Sequence, residues 1–477
     1  MIFNSIEFAI FFPIVFILYW CLFKKNINLR NIFLIGASYF FYGWWDWRFL
    51  SLIIASSFVD FFLGKRIYAE EKTGKRKLLL SISLVINLGF LGFFKYFNFF
   101  VDSFAHAFTI IGKHPEFSTL KIILPVGISF YTFQTLSYTL DIYKGKMKPV
   151  NDIFGFFAFV SFFPQLVAGP IERAKHLLPQ FYEVKKINYE SLKSGLLLIT
   201  WGLFKKIVIA DRLAVYIDNA YADIDNINGI PAVVAVLFFA FQLYLDFSAY
   251  SDIAIGSART LGFNLSLNFK RPYLSESFSD FWKRWHISLS SWFKDYLYIP
   301  LGGSKHSKWI THRNILIVFL LSGLWHGASW NFVIWGVLNA IFLIFIDSAI
   351  KTFNEKGIQR ILKSTIVNSC WALSLVFFRG QTFSEAKAMY GNLGFGNATS
   401  IYNYGLGQGE FKFAMFLVLF VIIIEIIQER TPSFYKLFST RHFVIRWTAY
   451  TIILLTIVFL GAYGIGLNDN NFIYFQF

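Results

Sequence analysis

A histidine set among apolar residues is the first group in this chain that could do chemistry. His326 lies in Leu324-Trp325-His326-Gly327-Ala328-Ser329-Trp330-Asn331, between the strongly apolar stretches 315–325 and 332–346. Imidazole titrates near pH 6.5, so it can take and return a proton near neutrality, and burial favours its neutral, base-competent form. Polar groups at membrane depth are costly, which makes a functional role the default expectation for them. A structural histidine satisfied by a backbone carbonyl is the competing account. Gly323, Gly327 and the two tryptophans favour catalysis, because the glycines are expected to loosen the helix and loosened backbone at depth is tolerated where it lines a cavity.

His286 is the second candidate, in Asp280-Phe281-Trp282-Lys283-Arg284-Trp285-His286-Ile287-Ser288-Leu289-Ser290. Trp282, Trp285 and Leu289 at i, i+3 and i+7 predict one helical face, with His286 close to it. Lys283 and Arg284 point elsewhere and are candidates for binding an anionic, phosphate-bearing donor. The plainer account is an amphipathic interfacial helix with an incidental histidine and lipid-facing charge. Asp246 and Asp252 flank Phe247-Ser248-Ala249-Tyr250-Ser251 and could line a proton or substrate path, although helix capping is the simpler role for Asp252. His106, His114, His176, His306, His312 and His442 all lie in or beside polar loops. No histidine pair has metal-ligand spacing, and Cys21 and Cys370 are too far apart in sequence for a structural zinc site. A Gly-x-Ser-x-Gly elbow, a Walker A loop and a dinucleotide fingerprint are also missing, so neither a metal nor a resident cofactor is expected.

The elements that must hold these groups are membrane helices. Of 477 residues, 56% are hydrophobic and 21% aromatic, with 61 phenylalanines, while only 15% are charged, against about 25% in soluble chains. Such a composition excludes a soluble globule, a disordered chain and, with two cysteines, a disulfide scaffold. A crossing needs about 20 mostly apolar residues, and spans are predicted near 6–23, 31–45, 49–63, 78–100, 121–142, 195–217, 231–248, 314–325, 330–350, 364–379, 412–428 and 447–466; the expectation is an all-α fold with about 11 transmembrane helices. The first stretch lacks a cationic leader and a small-residue cleavage site, so it reads as a retained helix. Trp44-Trp45-Asp46-Trp47 reads as an interfacial corner.

The formal charge of +16, from 44 basic and 28 acidic residues, would suggest nucleic acid in a soluble chain. Here the basic residues recur on alternate loops: Lys24, Lys25 and Arg30; then Lys65 to Lys77; then Lys144, Lys146 and Lys148. No Lys or Arg occurs between Arg212 and Arg259. Positive loops mark the cytoplasmic side, which places both termini outside. Residues 171–194 are expected to form an interfacial helix on that side. Residues 251–313, interleaving basic residues with aromatics, are too polar to span as one helix. No 20–50-residue repeat or linker divides the chain. One domain over 1–477 is expected, with N-terminal spans in 1–120, a core in about 121–350, and C-terminal spans with an aromatic tail in 364–477.

Pro125-Val126-Gly127-Ile128-Ser129-Phe130-Tyr131-Thr132-Phe133-Gln134, Phe163-Pro164-Gln165-Leu166-Val167-Ala168-Gly169-Pro170-Ile171, and Asp246 to Asp252 follow one another along the chain. In that order they resemble motifs of the membrane-bound O-acyltransferase superfamily. The block Phe278 to Gly303 and Leu324-Trp325-His326-Gly327 continue the resemblance, which is strongest to the bacterial alginate O-acetyltransferase branch. A D-alanyl transfer protein of teichoic acid synthesis is a relative. The resemblance implies tilted helices, with interfacial and re-entrant helices, around a central funnel or tunnel. It implies a bacterial inner-membrane location, His326 as the catalytic histidine and His286 as a second polar position.

On this resemblance the substrates are a cytoplasmic acyl thioester such as acetyl-CoA and a hydroxyl of an exported polysaccharide. An extracytoplasmic partner protein of the acyltransferase or esterase type is implied for completing the transfer. The chain's tail, Phe472-Ile473-Tyr474-Phe475-Gln476-Phe477, is similar to the aromatic end of a small partner in the D-alanyl branch. Tyr474 is therefore a candidate acyl relay, with aromatic anchoring at the interface as the alternative. D-alanyl or other acyl transfer to an envelope polymer, a non-catalytic flippase for an acyl carrier, and a scaffold in an export complex are the competing functions.

Overall fold

The computed structural model describes residues 1–23, 26–110, 112, 120–353, 357–394, 400–431, 440–463 and 472–473. Among them the secondary structure is helical, with one isolated bridge between Gly229 and Leu393. Among the described residues, seven helical stretches are long and apolar enough to cross a membrane: Ile6–Phe23, Ile27–Ala69, Thr73–Ile110, Ile230–Thr260, Trp330–Ile350, Ile358–Arg379 and Phe443–Leu460. Two of these run for 43 and 38 residues, about twice the ~20 needed for one crossing. Further helices include Lys308–His326 and Gln408–Arg430. The chain is a polytopic, all-α membrane protein.

Two compact units are resolved by the packing of the backbone. The first comprises Met1–Leu197 with Ala254–Ser266, and the second Leu198–Ile253 with Leu267–Phe477. In the first unit the tryptophan corner is a break in helix: helix Ile27–Asp46 ends, Asp46 accepts the Arg48 N–H at 3.0 Å, and helix Leu50–Ala69 begins after a 3-10 turn. Trp47 is exposed there, as an interfacial anchor should be. Helix Ile128–Tyr143 starts at Gly127, whose φ of 76° needs no Cβ, so the expected span from 121 is shorter than its hydropathy suggests.

Helices Leu50–Ala69, Thr73–Leu91 and Ile128–Tyr143 share a buried polar cluster. Asp60 accepts from Ser83 Oγ at 2.6 Å and Asn87 Nδ2 at 2.9 Å, and Ser56 donates to Asn87 Oδ1 at 2.6 Å. Interhelical hydrogen bonds of this kind hold helices together where no hydrophobic force distinguishes protein from lipid. The expected interfacial helix over 171–194 is instead two short turns, Ala174–Leu177 and Leu178–Tyr182, followed by helix Tyr189–Leu203. Arg30, fully buried, donates to the carbonyls of Phe181 and Glu183 at 2.5 and 2.6 Å and so ties this segment down as extended backbone.

In the second unit, helices Lys308–His326 and Trp330–Ile341 pack at backbone contact. A Cβ on Gly323 would lie 2.2 Å from the Phe332 carbonyl oxygen, and one on Gly336 would lie 2.3 Å from that of Phe319. Gly323 thus does the opposite of loosening its helix, which runs unbroken to His326. Small residues facing each other are how membrane helices bring their backbones together.

Candidate active site

Helix Lys308–His326 starts at a Ser307 cap, whose Oγ accepts the Ile310 N–H at 3.4 Å, and ends at His326 itself. Gly327 turns the chain away in extended conformation, and a Cβ there would meet the Phe332 ring at 2.1 Å. Ser329 then caps helix Trp330–Ile341 by accepting the Asn331 N–H at 3.1 Å, and Asn331 donates to the Gly380 carbonyl at 2.8 Å. The His326 ring is held edge-on by Trp325, Trp335 and Phe378, with centroids at 5.0, 5.0 and 5.4 Å. Its residue is 6% exposed.

His286 reaches the same place by a different route. The continuous helix expected from Trp282 to Leu289 is broken: helix Phe278–Arg284 stops, helix Ile287–Phe293 starts, and His286 between them has φ 42° and ψ 53°. Left-handed backbone at a residue with a Cβ is uncommon and marks a constrained position. The constraint is Asn268, a residue sequence reasoning missed. Its carbonyl accepts the Ile287 N–H at 2.9 Å, and its Oδ1 accepts from Ser288 Oγ at 2.9 Å. Its Nδ2 in turn donates to Ser251 Oγ at 3.1 Å. Phe247 packs edge-on against the His286 ring at 4.7 Å. Burial pushes the His286 imidazole down to about 3, so it is neutral near pH 7.

The two rings lie 6.4 Å apart, centre to centre. Both line a cleft of about 560 Å³ whose walls include Trp282, Trp285 and Phe319, a volume in the usual range for small-molecule sites. Lys283 lines it together with Lys294 and Lys351, two lysines that sequence reasoning did not single out. The lining carboxylate, Asp347, is engaged in capping helix Phe278–Arg284: it accepts the N–H groups of Phe278 at 2.5 Å and Ser279 at 3.0 Å, and the Ser279 hydroxyl. The cleft therefore presents a net positive wall and two imidazoles. Arg284 is held differently from Lys283, in ion pairs with Asp280 and Glu429, each at 2.9 Å.

Asp246 and Asp252 lie within helix Ile230–Thr260, so Asp252 is no cap. Lys205 reaches Asp252 at 2.8 Å and Ser248 Oγ at 2.7 Å. Lys206 bridges Asp246 at 2.7 Å and Asp211 at 2.8 Å. Both lysines sit on a π-helical turn, Phe204–Ala210, which adds a residue to the turn and aims neighbouring side chains at three carboxylates. Their signal in the sequence is a pair of lysines inside an apolar stretch. Asp246 Oδ2 also accepts the Ile473 N–H at 2.8 Å, and Phe472 lies 4.6 Å from Tyr250 and 5.6 Å from Phe247. The tail residues Phe472 and Ile473 are thus buried against the helix that also carries a wall of His286. Tyr474 lies outside the described residues.

Residues 149–384 match the model of the membrane-bound O-acyltransferase family, a segment that contains both histidines. A protein of Azotobacter vinelandii named "probable alginate O-acetylase AlgI" is 39% identical over 397 residues, covering 82% of this chain and 77% of its own length. The peptidoglycan O-acetyltransferase of Helicobacter pylori is 36% identical over 447 residues, 86% of this chain and 83% of its own. The teichoic acid D-alanyltransferase of Bacillus subtilis is 27% identical over 239 residues, 48% of this chain and 60% of its own.

Proposed function

The chain belongs to the membrane-bound O-acyltransferase family, and from that premise we propose that it moves an acetyl group from a cytoplasmic thioester, acetyl-CoA, to hydroxyls of an exported polysaccharide or of a partner protein. Its enzyme class is O-acyltransferase. The observation that carries the finer reading is the pairing of His286 and His326 on one cleft whose wall is positive through Lys283, Lys294 and Lys351.

In this mechanism His326 is the general base. It takes the proton of the acceptor hydroxyl as that oxygen attacks the thioester carbonyl. The tetrahedral intermediate collapses with cleavage of the carbon–sulfur bond, and the thiolate leaves with the proton returned by His326. His286, neutral, donates an N–H to the developing oxyanion, the point where fixed donors contribute most in a water-poor site. The lysines attract the phosphates of the donor, and the aromatic walls exclude water from the thioester. Two relatives, one named as a probable alginate O-acetylase and one as a peptidoglycan O-acetyltransferase, support acetyl and a polysaccharide. A location in the bacterial inner membrane with both termini outside, and an extracytoplasmic partner, complete the proposal.

Purified protein in lipid nanodiscs, given labelled acetyl-CoA and a soluble polysaccharide acceptor, tests it. His326→Ala is expected to lose about 10²–10⁴-fold in transfer while unfolding at an unchanged temperature. Full transfer by a folded His326→Ala protein would remove the histidine from the reaction. Transfer of D-alanyl but not acetyl groups would replace the donor.

The burial of Phe472 and Ile473 favours an extension in which Tyr474 relays the acyl group. Its phenol oxygen would take the acyl carbon from sulfur, passing its proton to the leaving thiolate through His326. The acceptor hydroxyl would then displace the tyrosine, which regains a proton. Tyr474→Phe keeps the ring and removes the nucleophile, so undiminished transfer in that variant excludes the relay.

A further inference from the structure

The first unit contains a smaller cavity, of about 260 Å³, whose lining shares no residue with the histidine cleft. Lys185, Lys186 and Arg259 line it, and among the described residues no acidic one does. Phe16 and Trp20 form its apolar side. We propose that this cavity binds the phosphate headgroup of an anionic phospholipid, with the acyl chains lying along helix Ile6–Leu18.

Three observations carry the assignment. The walls are built rather than incidental. The Arg30 guanidinium holds the carbonyls of Phe181 and Glu183, fixing the backbone that leads into Lys185 and Lys186. Trp20 Nε1 donates to the Thr260 carbonyl at 3.1 Å, pinning the end of the first helical stretch to the residue after Arg259. Gly262 takes a φ of 83°, and the Lys185 stem packs beside it. Lysines merely facing a lipid surface need no such scaffold.

The charges are also unequally used. Lys185 is paired with Glu183 at 2.8 Å, and its ammonium lies 5.0 Å from the centre of the Phe263 ring. Lys186 and Arg259 have no carboxylate partner among the described residues and are left to receive an anion. A phosphodiester accepts from both a guanidinium and an ammonium, and basic pockets between membrane helices are where anionic headgroups bind.

The apolar side decides the source of the phosphate. Helix Ile6–Leu18 continues away from the pocket with Ile6, Ile10, Ile14 and Ile17 exposed at 71, 59, 53 and 57%. That stripe is a surface for acyl chains and offers nothing to a free phosphate ion.

Binding is read without any acyl-transfer assay, by thermal unfolding and native mass spectrometry of the full chain in neutral detergent. Added phosphatidylglycerol is expected to raise the unfolding temperature by several degrees and to remain bound as a one-to-one adduct. Phosphatidylcholine and inorganic phosphate are expected to do neither. In the Lys186→Gln/Arg259→Gln double variant, the shift and adduct are expected to vanish while the lipid-free unfolding temperature stays put. An unchanged phosphatidylglycerol shift in the double variant overturns the site. An equal shift with phosphatidylcholine overturns the requirement for negative charge, and one with inorganic phosphate overturns the lipid. If the double variant is unstable, each single variant decides by losing part of the shift or none of it.

Discussion

His286 and His326 hold their rings 6.4 Å apart although one of them ends a long helix and the other occupies a left-handed break between two short ones. The relationship depends on two unrelated devices. A glycine-mediated helix contact sets His326, and the Asn268 side chain and backbone set His286. Each device can be removed without touching an imidazole.

Asn268→Ala tests the second device. It removes the hydrogen bonds that Asn268 makes to the hydroxyls of Ser288 and Ser251, a cost of about 1–3 kcal/mol. The His286 turn loses the side-chain half of its anchor and keeps the Asn268 carbonyl and its histidine. The expected result is a fall in kcat with the KM for the thioester donor little changed, because the lysine wall is untouched. His286→Asn is the companion variant, since asparagine tolerates left-handed backbone. It should fold as the parent does and still transfer poorly. Equal loss of folding in both variants would make the site's strain merely structural.

Gly323→Ala and Gly336→Ala test the first device. Each added methyl would lie against a backbone carbonyl, at 2.2 and 2.3 Å, where no rotamer change can relieve it. The helices must part, and overpacking of this kind costs about 1–3 kcal/mol or more. Lowered unfolding temperature, together with lower transfer as His326 shifts, is expected for both. A parent-like unfolding temperature in either would mean that the two helices do not meet at these glycines.

Acid should destabilise the protein through His286. Burial holds its folded pKa at about 3, whereas an unfolded histidine titrates near 6.5. Between these values the unfolded chain binds a proton that the folded chain refuses. Stability from this group is therefore complete above about pH 6.5 and is lost as pH falls toward 3. The effect is on the order of a few kcal/mol. Unfolding temperatures measured from pH 4 to 8 should fall less steeply in His286→Asn than in the parent. Parallel curves would assign the acid sensitivity to other groups.

The parts of the molecule legible in its sequence are those that lipid alone dictates. The long apolar helices, the corner at Trp44–Trp47 and the isolation of His326 all follow from the cost of polar groups in hydrocarbon. What could not be read depends on partners distant in the chain. Asp60 stands in an apolar stretch of sequence, and its partners Ser83 and Asn87 come from the next helix. Lys205 and Lys206 became ion-pair donors only when a π-turn faced them toward Asp252, Asp246 and Asp211. The periodicity of Trp282, Trp285 and Leu289 was real, yet Asn268 captured the backbone between them and broke the helix. Local pattern cannot report such a capture, because the captor lies well outside any helical window.

The tail supplies the remaining test. Phe472 is 1% exposed and rests on Tyr250 and Phe247, and Phe247 is the edge-on neighbour of His286. Ile473 is fixed through its N–H to Asp246, which Lys206 holds in place. Phe472→Ala would open a cavity behind Phe247, with a cost of about 3–5 kcal/mol where the surroundings cannot collapse. Phe247 would then be free to turn, and the wall that orients His286 would loosen. Transfer should fall in Phe472→Ala and recover in Phe472→Leu, which refills most of the space. Tyr474 is intact in both variants, so this loss is separable from any relay chemistry. If Phe472→Ala transfers as fast as the parent, the buried tail contributes nothing to the geometry of His286.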